Sequence, residues 1–174
     1  MKRHVKHKKA GKTSNKLWNR TVAAIALILV LAASLATFYY SPKAPGNSAS
    51  LVVKLYKTPE CGCCLSYVKY LSSEGYRVEV IDLSQSELAK LKHELRVPRY
   101  LWSCHTSLIN DYVVEGHVSV EAIEKLLEEK PKVRGIAVPG MPPGAPGMPG
   151  ETSRIVVYYY NDDGSRGIYH VYGQ

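Results

Sequence analysis

The sequence predicts a mixed α/β domain, a small sheet covered by helices, carried behind an N-terminal transmembrane helix. Three observations carry that prediction. Residues Thr21 to Tyr40 hold no charge, and from Leu51 onward strand-like and helix-like runs alternate in the order β-α-β-α-β-β-α. Three cysteines then fall within four positions, Cys61-Gly62-Cys63-Cys64, where the first strand-like run gives way to a helix-like one. The first amides of a helix lack internal partners and carry partial positive charge, which favours thiolate over thiol.

The basic character of the chain is local. Of 23 Lys and Arg residues, Lys2, Arg3, Lys6, Lys8, Lys9, Lys12, Lys16 and Arg20 precede the uncharged span, and the remaining 15 balance the 15 Asp and Glu. A neutral remainder disfavours a nucleic-acid groove. Residues 1–20 therefore read as a basic cytoplasmic tail. TVAAIALILVLAASLATFYY, residues 21–40, would span about 30 Å as a helix and match a bilayer core. Basic residues before it and Phe38, Tyr39 and Tyr40 at its far end predict a single-pass cell-membrane protein with its N-terminus in the cytoplasm and the domain outside. A cleaved signal peptide competes, with Ser34 and Ala36 as the small residues before a cleavage site. The long basic region and near-full span favour the retained anchor.

SPKAPGNSAS, residues 41–50, is a linker by composition. LVVKLYKT reads as a buried strand, and after the cysteines Leu65, Val68 and Leu71 form a helical apolar face closed by Gly75. Tyr76, Val78 and Val80 alternate with Arg77 and Glu79 as a second strand running into Ile81. Ser84 and Glu87 make a capping box ahead of a helix with Leu88, Leu91 and Leu95 inward, ended by Pro98. Strands follow at Ser107 to Asn110 and Tyr112 to Glu115, then a helix marked by Val120, Ile123, Leu126 and Leu127 and stopped by Pro131. VPGMPPGAPGMPG, residues 138–150, is an irregular loop with Met141 and Met148 at equivalent places in two Pro-Gly-Met-Pro copies. Residues 151–174 form a C-terminal hairpin, RIVVYYY and GIYHVYG around Asn161-Asp162-Asp163-Gly164, whose tyrosines read as sheet surface.

A Cys-Gly-Xaa-Cys sequence after the first strand of such an order resembles the thioredoxin-like fold. The stretches KTPECGCC, SCHTSLI, YVVEGHV and IAVPGMP are similar to the CopG-type periplasmic copper-resistance proteins, a thioredoxin-like family, over about Leu51 to Gly150. That resemblance implies copper handling outside the cytoplasm. It also implies a copper-binding domain at 51–150 whose cluster-binding set is Cys61, Cys63, Cys64 and Cys104, with His105 and His117 as nearby candidates. The long basic anchor and the doubled Met loop depart from the family pattern without touching the motifs.

The chemistry can also be weighed from the residues. Thiolates are soft ligands that select Cu(I), zinc or iron-sulfur clusters, and a dithiol here also suits disulfide exchange. A structural zinc site takes two spaced pairs, whereas three sulfurs in one turn, with Cys63 and Cys64 pointing different ways, suit bridging around more than one Cu(I). A thiol-disulfide oxidoreductase would use Cys61 as nucleophile and Cys64 as resolving thiol, leaving Cys63 and Cys104 unused. Structural disulfides are the remaining alternative, judged strained between such close neighbours. His117, after Gly116 at a strand end, can turn toward the thiols. His105 is less favoured because adjacent strand residues face opposite sides. Met141 and Met148 are soft candidate ligands or, alternatively, hydrophobic plugs. His93 reads as solvated, and His4, His7 and His170 carry no role. The expected partners are copper ions, other copper-handling proteins and the membrane, with no nucleic acid.

Overall fold

The computed structural model describes Arg20, Val22, Ile25 and residues 27–32, 51–151 and 153–173. The chain divides into two compact units, residues 1–44 and 45–174. In the first, the described residues are helical and mostly apolar. Most of the expected 21–40 span lies outside the described residues, as do the linker and all of the tail but Arg20. Among the described residues no helix is long and apolar enough to cross a membrane.

The second unit is mixed α/β, built on a seven-stranded sheet. The elements are β1 (Val52–Lys57), α1 (Gly62–Ser73), β2 (Arg77–Asp82), α2 (Gln85–Glu94), β3 (His105–Ile109), β4 (Tyr112–Glu115), α3 (Val120–Glu129), β5 (Gly135–Ala137), β6 (Ile155–Tyr160) and β7 (Arg166–Tyr172). Their order in the sheet is β2-β1-β3-β4-β5-β6-β7. The expected parallel β1–α1–β2 start and the antiparallel β3–β4 hairpin are both present. The capping box forms as well, Ser84 Oγ accepting from Glu87 N while the Glu87 carboxylate takes the Ser84 N–H.

Three expectations are corrected. The buried face of α1 is Cys64, Tyr67 and Leu71, while Leu65 is 47% exposed. Cys64 is held inside by its bond to Cys61, and the Tyr67 hydroxyl donates to Val118 O at 2.7 Å, which rotates the inward stripe by one residue. The strand β5 was missed because three residues are too few to show alternation. Gly135 is needed there, since a Cβ would run into Val113 O. The C-terminal hairpin extends the same sheet through β5–β6 pairing, and Tyr160 is fully buried instead of lying on the surface. Ile155 and Val157 lie in the main core while Tyr160 lies in a second buried cluster with Val97, Leu101, Val113 and Ala137, so β6 keeps its two-residue alternation and is covered on both sides.

Strand register sets up one end of the sheet. Lys57, the last residue of β1, lies opposite His105, the first of β3, so the short turn after Lys57 delivers Cys61 beside Cys104. Lys57 Nζ donates to Asp82 Oδ1 at 2.7 Å and to Thr58 O at 3.2 Å, holding that strand end. On the other side of β3, Gly116 N donates to His105 O at 3.1 Å and continues into His117. Gly116 has a φ of +76°, and a Cβ there would meet Ser103 Oγ and Val138 O at 2.5 Å, so the close approach requires glycine.

Candidate metal centre

All four cysteines converge. The Sγ atoms of Cys61, Cys63, Cys64 and Cys104 lie within 4.8 Å of one another. Cys61 is the N-cap residue of α1, but its sulfur makes no capping hydrogen bond and is turned to the other cysteines instead. Cys63 is central, 3.5 Å from Cys61 Sγ and 3.7 Å from Cys104 Sγ. Cys61 and Cys64 are joined by a disulfide, while Cys63 and Cys104 are free and half-buried. The Cys61–Cys64 bridge spans a Cα separation of 5.4 Å, within the ordinary range, so the strain expected between such close neighbours does not arise from their spacing.

The histidines depart from the sequence expectation. Both His105 and His117 reach Cys104, with His105 Nδ1 at 3.4 Å and His117 Nε2 at 3.3 Å from its sulfur, and the three form a second group of candidate ligands. Alternation was the wrong rule for His105. It governs residues inside a ladder, and Cys104 precedes β3, so nothing forces its side chain to the opposite face. His117 is oriented by the Pro/Gly/Met loop: a carbonyl only accepts, so Nδ1–H donates to Pro146 O at 2.7 Å and leaves the Nε2 lone pair facing the thiol. Burial lowers the pKa of both imidazoles, and His117 and Lys92 lower that of His105 further, so both rings are held neutral.

The two methionines are not equivalent. Met141 Sδ is 3.8 Å from Cys63 Sγ and half exposed. That loop is fastened by Gly140 N to Trp102 O at 3.1 Å and by Ser103 Oγ to Gly140 O. Met148 instead packs against the hydrophobic core, because Gly147 lies on the backbone of α1 and the turn from Ala145 to Met148 points the side chain inward. His93 is exposed and touches the edge of Trp102, and His170 lies 3.8 Å from Glu121, both away from the sulfurs.

The thiol of Cys104 is pushed up to about 12 by burial first and by neighbouring Cys63 next. Without a cation the sulfur therefore keeps its proton near neutral pH. Once the Cys61–Cys64 bridge is reduced, four cysteine sulfurs, one thioether and two neutral imidazoles make a donor set suited to a soft ion. Sequence reasoning missed the polar layer behind the sulfurs. Lys92, Thr106 and Glu115 are buried, and the Glu115 carboxylate accepts from Lys92 Nζ at 2.5 Å, Thr106 Oγ1 at 2.6 Å and Ser103 N at 2.7 Å. A lysine within a charged helical run gives no signal of burial.

Comparison with known proteins bears on this geometry. A family described as a protein of unknown function, DUF411, matches residues 101–148. No curated protein matches. Two solved structures do, described as copper resistance protein CopG, Form 2 and Form 1. The first is 33% identical with a TM-score of 0.64, the second 32% identical with a TM-score of 0.66, and each comparison covers 71% of this chain and 98% of the other.

Proposed function

Since the chain belongs to the family of the copper resistance protein CopG, we propose that it binds Cu(I) in copper resistance or homeostasis, more than one ion per domain. Cys61, Cys63, Cys64 and Cys104 would hold the metal, with His117, His105 and Met141 at the margin. One observation carries this reading. Cys63 Sγ stands between Cys61 and Cys104 at 3.5 and 3.7 Å, the arrangement in which one thiolate can serve more than one soft ion. The bound metal would supply charge to offset the Cys104 thiolate, a sulfur the protein alone keeps protonated.

The order β2-β1-β3-β4, parallel then antiparallel, supports reading the 51–150 domain as thioredoxin-like. The uncharged 21–40 span behind a basic tail supports a single-pass anchor with the domain on the extracytoplasmic side of the cell membrane. Other copper-handling proteins are the partners this reading requires.

The Cys61–Cys64 disulfide favours a second reading, a thiol-disulfide oxidoreductase. An incoming dithiol would open the bridge, passing two electrons and two protons to it and becoming a disulfide. One set of variants separates the readings. In an anaerobic titration of the reduced protein with Cu(I) against a competing chelator, the parent should bind more than one ion and Cys104→Ser fewer. A single copper in the parent, or an unchanged count in the variant, overturns the copper site. If exchange is the task, Cys61→Ser abolishes insulin reduction while Cys63→Ser and Cys104→Ser keep most of it.

A further inference from the structure

The Lys92–Glu115 pair is buried to within 3% of full enclosure, and a buried ion pair is commonly no more stabilising than apolar residues of the same size. Its value must be sought in what it holds. The Glu115 carboxylate is fully subscribed: Oε1 takes Lys92 Nζ and the Ser103 N–H, and Oε2 takes the Thr106 hydroxyl. Lys92 Nζ also donates to Thr106 Oγ1 at 2.8 Å.

Two neighbours give this arrangement its meaning. Ser103 immediately precedes Cys104, and both lie before β3, where the β3–β4 ladder does not fix the backbone. Glu115 closes β4 and is followed by Gly116 and His117. A single carboxylate thus ties the segment carrying Cys104 to the segment carrying His117, whose Sγ and Nε2 stand 3.3 Å apart. Cys104 Sγ in turn stands 3.7 Å from Cys63 Sγ. We propose that Glu115, held in place by Lys92, is a positioning residue that fixes Cys104 against Cys63 through the Ser103 amide. As a statement about metal binding this rests on the function proposed above. As a statement about sulfur geometry it can be tested without copper.

In the disulfide-bridged chain the two free thiols are Cys63 and Cys104. Phenylarsine oxide condenses with two adjacent thiols, forming two As–S bonds and releasing water, so its retention against a monothiol reads their proximity. The unreduced full-length parent should retain one arsenical, and Cys104→Ser none. Lys92→Met with Glu115→Met replaces the pair by apolar groups of similar volume and leaves the Ser103 N–H and the Thr106 hydroxyl without their acceptor. That variant should release the arsenical about tenfold faster than the parent, the effect of leaving the Ser103 N–H unsatisfied. Lys92→Met with Glu115→Gln also lacks the ion pair but restores a carbonyl oxygen for Ser103 N, and should retain the arsenical as the parent does.

A parent that fails to hold the arsenical, a Met pair that holds it like the parent, or a Gln pair that releases it like the Met pair would each overturn the inference. If the Met pair does not fold, the Gln pair against the parent decides in the same way. A parent that holds the arsenical but binds no Cu(I) would overturn the proposed function and leave the positioning role standing.

Discussion

The proton on Cys104 decides how this site meets a metal. Burial and neighbouring Cys63 push the thiol up to about 12, above its ordinary range, so over neutral pH an incoming cation must displace that proton. Displacement becomes easier as pH rises toward the thiol pKa, so affinity increases with pH. Each proton released from a group still protonated steepens the dependence by about tenfold per pH unit. Titration with Cu(I) between about pH 6 and 8 should show affinity rising with pH, and Cys104→Ser should flatten the slope by one proton. An identical slope in the variant would mean that Cys104 binds no metal or reaches it already ionised. The histidines add no such slope, because burial keeps both neutral. At this scale Cys61, Cys63 and Cys64 were legible in the sequence, since thiols at a strand-to-helix junction announce their chemistry, while Cys104 joined them through the family resemblance. Lys92 and Glu115 were not, because a charged residue looks solvated until the partner 23 positions away is known.

Among the elements, the Pro/Gly/Met loop does more than its composition suggested. It fixes the His117 tautomer through Pro146 O, lays Gly147 on α1 and brings Met141 to Cys63. Gly147 has a φ of +77°, and a Cβ would stand 2.6 Å from Tyr67 N, a backbone atom of a helix that cannot yield. Gly147→Ala should therefore lift the loop and cost about 1–3 kcal/mol, measured as a fall in thermal stability. It should also weaken metal binding as Pro146 O leaves His117. Gly62→Ala is the control, since a Cβ there meets nothing within 4 Å and helix propensity favours alanine. A Gly147→Ala protein as stable as the parent would show that the loop does not bear on α1. The regular elements of this domain were largely readable, because helices and the first four strands follow hydrophobic period and capping signals. What escaped were features set by tertiary contact: the three-residue β5, the burial of Tyr160 in a second cluster with Val97, Leu101, Val113 and Ala137, and the opposite fates of Met141 and Met148 despite their repeated sequence.

For the molecule as a whole, the sulfurs gather at the end of the sheet where β1 stops and β3 begins, and on the proposed topology charge would decide which compartment they face. The 15 cations and 15 acids beyond the tail cancel, so the eight cations of residues 2–20 are the asymmetry that would orient the chain. Basic residues are retained on the cytoplasmic side of a short uncharged span, which predicts that Cys61, Cys63, Cys64 and Cys104 lie outside the cell membrane. An oxidising exterior also suits a Cys61–Cys64 bridge beside two free thiols. A membrane-impermeant maleimide applied to intact cells, after removal of metal and mild reduction, should label the chain. Substituting the eight N-terminal cations by uncharged residues should weaken that orientation and reduce the labelled fraction. Labelling confined to lysed cells would place the thiols in the cytoplasm, where neither the topology nor an extracytoplasmic role in copper handling could stand.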